Sequence, residues 1–265
     1  MTVTNSPYTS KIIKAGALLA DTKMLLSQWD TAVSTADNLA HARQTNIFGK
    51  ASRSRVEDIL TIFRQRYLTD PAVTAALVTL VKGQISQEIL NPVLYFHAAQ
   101  SDALLHDAVT DLLAGLQVNG RSQISSDQVQ QWIRGQIDQG KTVSPWSDHT
   151  ISRAARTILS TLRDFGVLQG AVNKRLAPAY LPVNAFAYIA FYLQQSQPSG
   201  RLLLEHPEWQ LFFLPRSGVE RFFVEAQLRR LLDYHAAGSV VRITFPTATL
   251  EDYAYVILER AHQPA

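Results

Sequence analysis

Cysteine is missing from all 265 positions. Its absence excludes a disulfide framework, a thiolate zinc site, an iron–sulfur cluster and a cysteine nucleophile. It also agrees with a reducing cytoplasm. Long apolar runs are scarce. The longest, AFAYIAFYL at residues 185–193, is about half of what a bilayer requires and reads as a buried core helix. The opening residues 1–10 are polar, and the following KIIKAGALLADTKMLL is interrupted by Lys14, Asp21 and Lys23, so no signal peptide is evident. A cytoplasmic protein without a membrane partner is expected.

Catalytic and cofactor motifs are lacking too. Neither G-x-x-x-x-G-K-[ST] nor G-x-G-x-x-G occurs, which argues against the usual nucleotide sites. The seven histidines form no H-x-x-x-H and no H-E-x-x-H, and His97 and His106 are nine positions apart, too far to share a metal easily on one helix face. Asp21-Thr22-Lys23 has the D-x-K spacing of some nuclease sites but lacks a second placed carboxylate. No G-x-S-x-G elbow is present. The expectation is therefore no enzyme, no cofactor, no metal and no small-molecule substrate.

What is present is an ordinary globular composition, 46% hydrophobic and 18% charged, with a net charge of +3. Helical periodicity dominates. Helices are predicted over residues 11–29, 52–68 and 70–82, with Asp70-Pro71 opening the third and Gly83 closing it. A fourth begins near Ser86 and is interrupted at Asn91-Pro92, and a fifth covers 101–116. Turn- and linker-like stretches at 117–123 and 194–200 divide the chain into an N-terminal helical domain (1–120), a middle module (121–196) and a C-terminal α/β module (197–265).

The middle module is the most informative. Ser125 and Gln128 form a capping box, with Ile124 and Val129 placed as a hydrophobic staple. After the connector GKTVSPWS comes a second helix, capped by Ser147 or Asp148. At 100° per residue from His149, seven apolar residues from Ile151 to Phe165 fall between about 140° and 280°. His149, Ser152, Arg153, Arg156, Ser160 and Arg163 fill the opposite arc, which holds no acid. Gly166-Val167-Leu168 then ends the helix, and Gly170 to Arg175 can turn a short hairpin tipped by Lys174 and Arg175. Helix, helix, basic hairpin is the order of a winged helix-turn-helix, whose second helix enters a major groove while the wing touches the flanking backbone. Residues 149–175 hold five Lys and Arg against one acid, Asp164. Arginine makes bidentate bonds to phosphate and guanine edges, and serine donates to phosphate with little bulk. The bland alternative is the solvated face of an ordinary amphipathic helix. The eight-residue connector, 140–147, is also longer than the three or four of a compact helix-turn-helix.

A second basic cluster contains Arg43, Lys50, Arg53, Arg55, Arg64 and Arg66 against Glu57 and Asp58. Within it, Lys50, Arg53 and Arg55 sit on a loop before a helix N-terminus, a natural phosphate site, or simply a solvated loop. Residues 101–138 hold five acids and two arginines, so charge is segregated along the chain.

In the last third, PEWQLFFL suggests a short helix, 219–234 an amphipathic helix, SVVRITF a strand, and Thr249-Leu250-Glu251-Asp252 a final helix start. Together with YTSKIIKAGALLADTKMLL, ILNPVLYFHA, SRAARTILSTLRDFGVL and LEDYAYVILERA, this pattern resembles the BrxA family of bacterial BREX phage-defence systems. The resemblance implies an accessory protein that binds double-stranded DNA beside larger BREX partners, and it supplies no catalytic motif. The fold expected is mainly α, a multi-helix protein with a central winged helix-turn-helix module and a small β-hairpin wing. The rival function is docking to other BREX proteins, with DNA contact incidental.

Overall fold

A computed structural model describes residues 7–14, 16–238 and 240–262. The polar residues 1–6 and Ser239, the first residue of the expected SVVRITF strand, lie outside the described residues. The first half is helical: α1 (Leu19–Ser27), α2 (Thr35–Thr45), α3 (Arg53–Tyr67), α4 (Pro71–Lys82), α5 (Gln87–Gln100), α6 (Ala103–Asp107) and α7 (Ala114–Val118). A short strand β1 (Gln123–Ile124) precedes α8 (Ser126–Asp138) and α9 (Asp148–Asp164), followed by β2 (Leu168–Gln169) and β3 (Lys174–Leu176). Helices α10 (Val183–Ser196), α11 (Gly200–Leu204) and α12 (Arg216–Leu228), a hairpin of β4 (Asp233–Ala237) and β5 (Val240–Thr244), and α13 (Leu250–Ala261) complete the chain.

Local sequence explains several of these boundaries. Ser52 caps α3 and Asp70 caps α4, where Pro71 occupies the first turn. Thr249 caps α13 by accepting from the Asp252 N–H. Packing then assembles the body: α4 lies along α13, α10 packs on α13 and α5, and α1 covers α4. Helix α10 is buried nearly end to end, as its apolar composition requires. No helix among the described residues is long and apolar enough to cross a membrane. Aromatic rings fill the centre: Phe186 stacks on Trp209 at 4.7 Å and on Phe222 at 4.9 Å, and Phe191 stacks on Tyr253 at 4.6 Å. Tyr95 donates to the Leu211 carbonyl at 3.1 Å, and His97 Nε2 meets the Tyr188 hydroxyl at 3.1 Å, so the first, middle and last thirds share one core.

Several expected boundaries shift, each for a physical reason. The helix expected at 11–29 is a 3₁₀ turn, Ser10–Lys14, then α1. Gly16 and Leu18 adopt positive φ (60° and 53°), and the buried Arg66 donates to the Gly16 and Ala17 carbonyls at 2.8 and 3.1 Å, capturing acceptors that a helix would have used. Pro92 does not interrupt α5; near the N-terminal end it removes a single intrahelical bond, and burial of Val93 to Ala99 outweighs that loss. The helix expected at 101–116 is three pieces, with a π-helical turn, Ala108–Leu113, between α6 and α7. The helix expected at 219–234 ends at Leu228, because residues 233–237 pair with 240–244 across a turn at Gly238 (φ 60°). PEWQLF forms a 3₁₀ turn.

Candidate nucleic-acid interface

Helix α8 begins with the expected capping box. The Ser125 hydroxyl accepts from the Gln128 N–H at 3.2 Å, and the Gln128 side chain accepts from the Ser125 N–H at 2.8 Å. Helix α9 is capped by Ser147, which accepts from the Thr150 N–H at 3.2 Å. The two helices pack together, and Ile151, Ala154, Ala155, Ile158, Leu159, Leu162 and Phe165 are all buried. That burial turns the opposite arc outward: His149, Arg153, Arg156 and Arg163 are exposed, with Ser152 and Ser160 half-buried between them.

Three strands lie beside the helix pair in the order β1-β3-β2, all antiparallel. Arg175 on the central strand pairs with Gln123 of β1 and Gln169 of β2, and it is exposed. Its neighbour Lys174 is half-buried, and its ammonium folds back to the Ala171 carbonyl at 2.8 Å. Gly170 (φ 97°) makes the tight turn; a Cβ there would sit 2.2 Å from the Asn173 carbonyl oxygen.

Ion pairing sorts the predicted residues. His149, Arg153 and Arg175 have no side-chain partner among the described residues, and Arg156 donates only to the Ser152 carbonyl at 3.3 Å. Arg163, by contrast, is engaged by Asp164 at 2.7 Å, and Asp148 at the start of α9 is engaged by Arg134 at 2.9 Å. The acid-free ridge therefore runs between two acids that are each already paired.

The second cluster is more heavily engaged. Lys50 pairs with Asp21 at 2.8 Å, Arg43 with Glu57, and Arg55 donates to the Lys14 carbonyl. Arg53 is exposed without a side-chain partner among the described residues. The structure does not bring this loop into the sheet beside α9. Arg121 was missed by the sequence reading. It is exposed immediately before β1, and the Leu176 N–H donates to the Ser122 carbonyl at 2.8 Å, so Arg121 borders the same sheet as Arg175. A two-residue strand offers no alternation from which to find it.

The long connector is anchored rather than loose. The Tyr8 N–H donates to the Lys141 carbonyl at 2.7 Å, and Lys141 Nζ reaches Asp107 at 2.9 Å. Asp107 also holds His106 Nδ1 at 3.2 Å, and His106 Nε2 faces the buried Glu208 at 3.2 Å. Burial alone would lower the His106 pKa, but the two carboxylates override it and hold it up at about 9. Burial would raise Asp107, yet bonds from His106, Tyr8 and Lys141 hold it far below the usual carboxylate range.

The architecture has a solved counterpart. The crystal structure of an uncharacterized protein from Magnetospirillum magneticum matches with a TM-score of 0.59 at 16% identity, covering 71% of this chain and 95% of that one. At that identity the likeness is one of fold. No curated protein matches the chain. The BrxA family model matches residues 6–192, well over half of the sequence. The chain belongs to the BrxA family, and membership implies a BREX-associated role. The strings PEWQLFFL and LEDYAYVILERA lie beyond the matched residues.

Proposed function

We propose that α8, α9 and the β1-β3-β2 sheet form a winged helix-turn-helix that binds double-stranded DNA in BREX phage defence. The order of strand, two helices and hairpin, with the first strand closing against the third, supports the module. The observation that carries the reading is that Arg153 and Arg156 project from α9 exposed and unpaired with any acid among the described residues. Arg121 and Arg175 extend positive charge onto the wing. In this reading α9 enters the major groove, its arginines meeting phosphates and guanine edges, while Ser152 and Ser160 support them and the wing holds the flanking backbone. Docking to other BREX proteins is the second reading, favoured by Val172 and Tyr180, which are 90% and 71% exposed beside the wing.

Fluorescence anisotropy of a labelled duplex tests the proposal. The Arg153→Glu/Arg156→Glu variant, with an unchanged melting temperature, should lose binding. Retained binding would overturn the assignment of this face, and capture of BREX proteins that survives nuclease and high salt would support docking.

A further inference from the structure

The β4–β5 hairpin has one covered edge and one open edge. On β5, the Gln194 side-chain amide donates to the Ile243 carbonyl at 3.0 Å, and a Cβ added to Gly200 would sit 2.5 Å from the Val241 carbonyl oxygen. Helices α10 and α11 therefore cover that edge. Both carbonyls point away from β4, so Tyr234–Ile243 and Ala236–Val241 are the non-hydrogen-bonded pairs of the ladder. Tyr234 agrees with this parity, because its N–H turns away from β5 and donates to Gln227 Oε1 at 3.2 Å. Two residues on, the Ala236 N–H and carbonyl face outward as well. Ala236 is exposed, and neither group has a partner among the described residues. The strand DYHAA contains no lysine or proline and its register is unbroken by a bulge, so the usual guards of an open edge are missing.

Beside this edge lies a shallow groove lined by Ser217, Glu220, Arg221 and Val224 of α12 and by Tyr234 of β4. Helical spacing puts Arg221, Val224 and Leu228 on one face of α12, and all three are exposed, Val224 by 49% and Leu228 by 79%. Charge on these elements is one-sided. Their three acids are Glu220, Glu225 and Asp233. Glu220 is held by Arg216 at 3.1 Å and Glu225 by Arg229 at 2.9 Å. Asp233 neighbours Tyr234 along the strand, so it points to the face opposite the groove. Arg221 has no hydrogen bond or ion pair from its side chain among the described residues, which leaves the groove with an unanswered cation next to an exposed valine.

We propose that β4 accepts an extended, acidic segment of a partner protein as a third strand of this sheet. The main chain of the segment bonds the outward N–H and carbonyl of Ala236 and the carbonyl of Tyr234, which supplies affinity without regard to sequence. Its side chains on one face alternate into the groove and supply the selectivity: a carboxylate meets the Arg221 guanidinium, and a branched apolar residue covers Val224. A basic segment would instead set like charge against Arg221. Strands β4 and β5 and helix α12 lie beyond residues 6–192, which the family model matches, and none of them belongs to the proposed DNA face.

Fluorescence anisotropy of the full chain with fluorescein-labelled Glu-Thr-Val-Thr-Glu-Thr-Val-Thr-Glu-amide tests the proposal, since that peptide in extended form alternates carboxylates and valines on one face. Saturable one-to-one binding is expected. A copy with lysine in place of each glutamate should bind at least tenfold more weakly, and a copy N-methylated through its central five residues should not bind. Ala236→Pro removes the outward N–H but spares the ladder to β5, because an edge strand tolerates proline where its N–H faces solvent. It should abolish binding with an unchanged melting temperature. Arg221→Gln should weaken the acidic peptide at least tenfold, and this variant and the N-methylated copy decide the matter should the proline variant melt early. Absence of saturable binding, equal binding of the acidic and basic peptides, binding of the N-methylated copy, or an unaffected Arg221→Gln variant would overturn the proposal. So would a dimer in sedimentation velocity that Ala236→Pro dissolves, which would give the edge to a second copy of this chain. None of these readouts involves DNA, so this test and that of the DNA face fail independently.

Discussion

Salt dependence gives the most demanding test of the proposed DNA face, because the ion pairs fix how many charges are free to act. Of the cations on α9 and the wing, Arg121, Arg153, Arg156 and Arg175 have no acid partner among the described residues, whereas Arg163 is engaged by Asp164 and Lys174 is turned back onto its own loop. Four phosphate contacts give a slope of log K against log salt of about −3.6. Between about 50 and 200 mM potassium chloride that slope costs about 150-fold in affinity, roughly 3 kcal/mol. Neutralising two contacts in Arg153→Gln/Arg156→Gln should halve the slope to about −1.8, so the same salt change costs only about 12-fold. Arg163→Gln should leave the slope nearly unaltered, since its charge is already answered, and so should Lys50→Gln, whose ammonium belongs to Asp21. Anisotropy titrations of a random duplex of about 20 base pairs measure all four proteins under identical conditions. An unchanged slope in the Arg153/Arg156 variant, or an equal drop in Arg163→Gln, would refute the reasoning.

Further predictions concern stability. His106 has a folded pKa of about 9 against an ordinary 6.5, so its contribution is complete below about 6.5 and vanishes as pH rises through 9. Unfolding free energy should fall between about pH 7 and 10, by on the order of 3 kcal/mol at most, read as a lower melting temperature, and His106→Gln should flatten that limb. Ser125→Ala removes half of the capping box and should cost about 1 kcal/mol in urea unfolding. Gly200→Ala places a Cβ 2.5 Å from the Val241 carbonyl oxygen, a backbone atom, and should destabilise by about 1–3 kcal/mol, read as a lower denaturation midpoint.

The legible parts of the fold are those decided within one or two turns of chain. Ser52, Asp70, Ser125, Ser147 and Thr249 announce their helices because a cap is a local bond between neighbours. The two faces of α9 were legible for the same reason, since a helix converts spacing directly into direction. Long-range partners were not. Arg66 looked like one more surface cation and is 4% exposed, its guanidinium spent on carbonyls about fifty residues earlier. Helix α2 escaped notice because TADNLAHARQT carries too few apolar residues for a clear stripe. The first two residues of β4, Asp233 and Tyr234, were absorbed into the preceding helix and the rest went unread, because DYHAA has weak strand character and is held by its partner. At the candidate site, the arginine identities were visible, but the pairing of Arg163 with its own neighbour and the arrival of Arg121 beside the wing depend on rotamers and on strand pairing across about fifty residues.

The bond from the Tyr8 amide to the Lys141 carbonyl, together with the packing of the Ser10–Lys14 turn on α9, has a consequence for how the chain matures. Residues 7–14 must wait for more than a hundred later residues to be made before they find their seat. Until then the inner side of α9 lacks its cover, which makes that helix vulnerable to proteases and to self-association in a nascent chain. A fragment cut to residues 121–196 would keep this defect permanently, so the basic helix is best studied with its distant N-terminal strap in place.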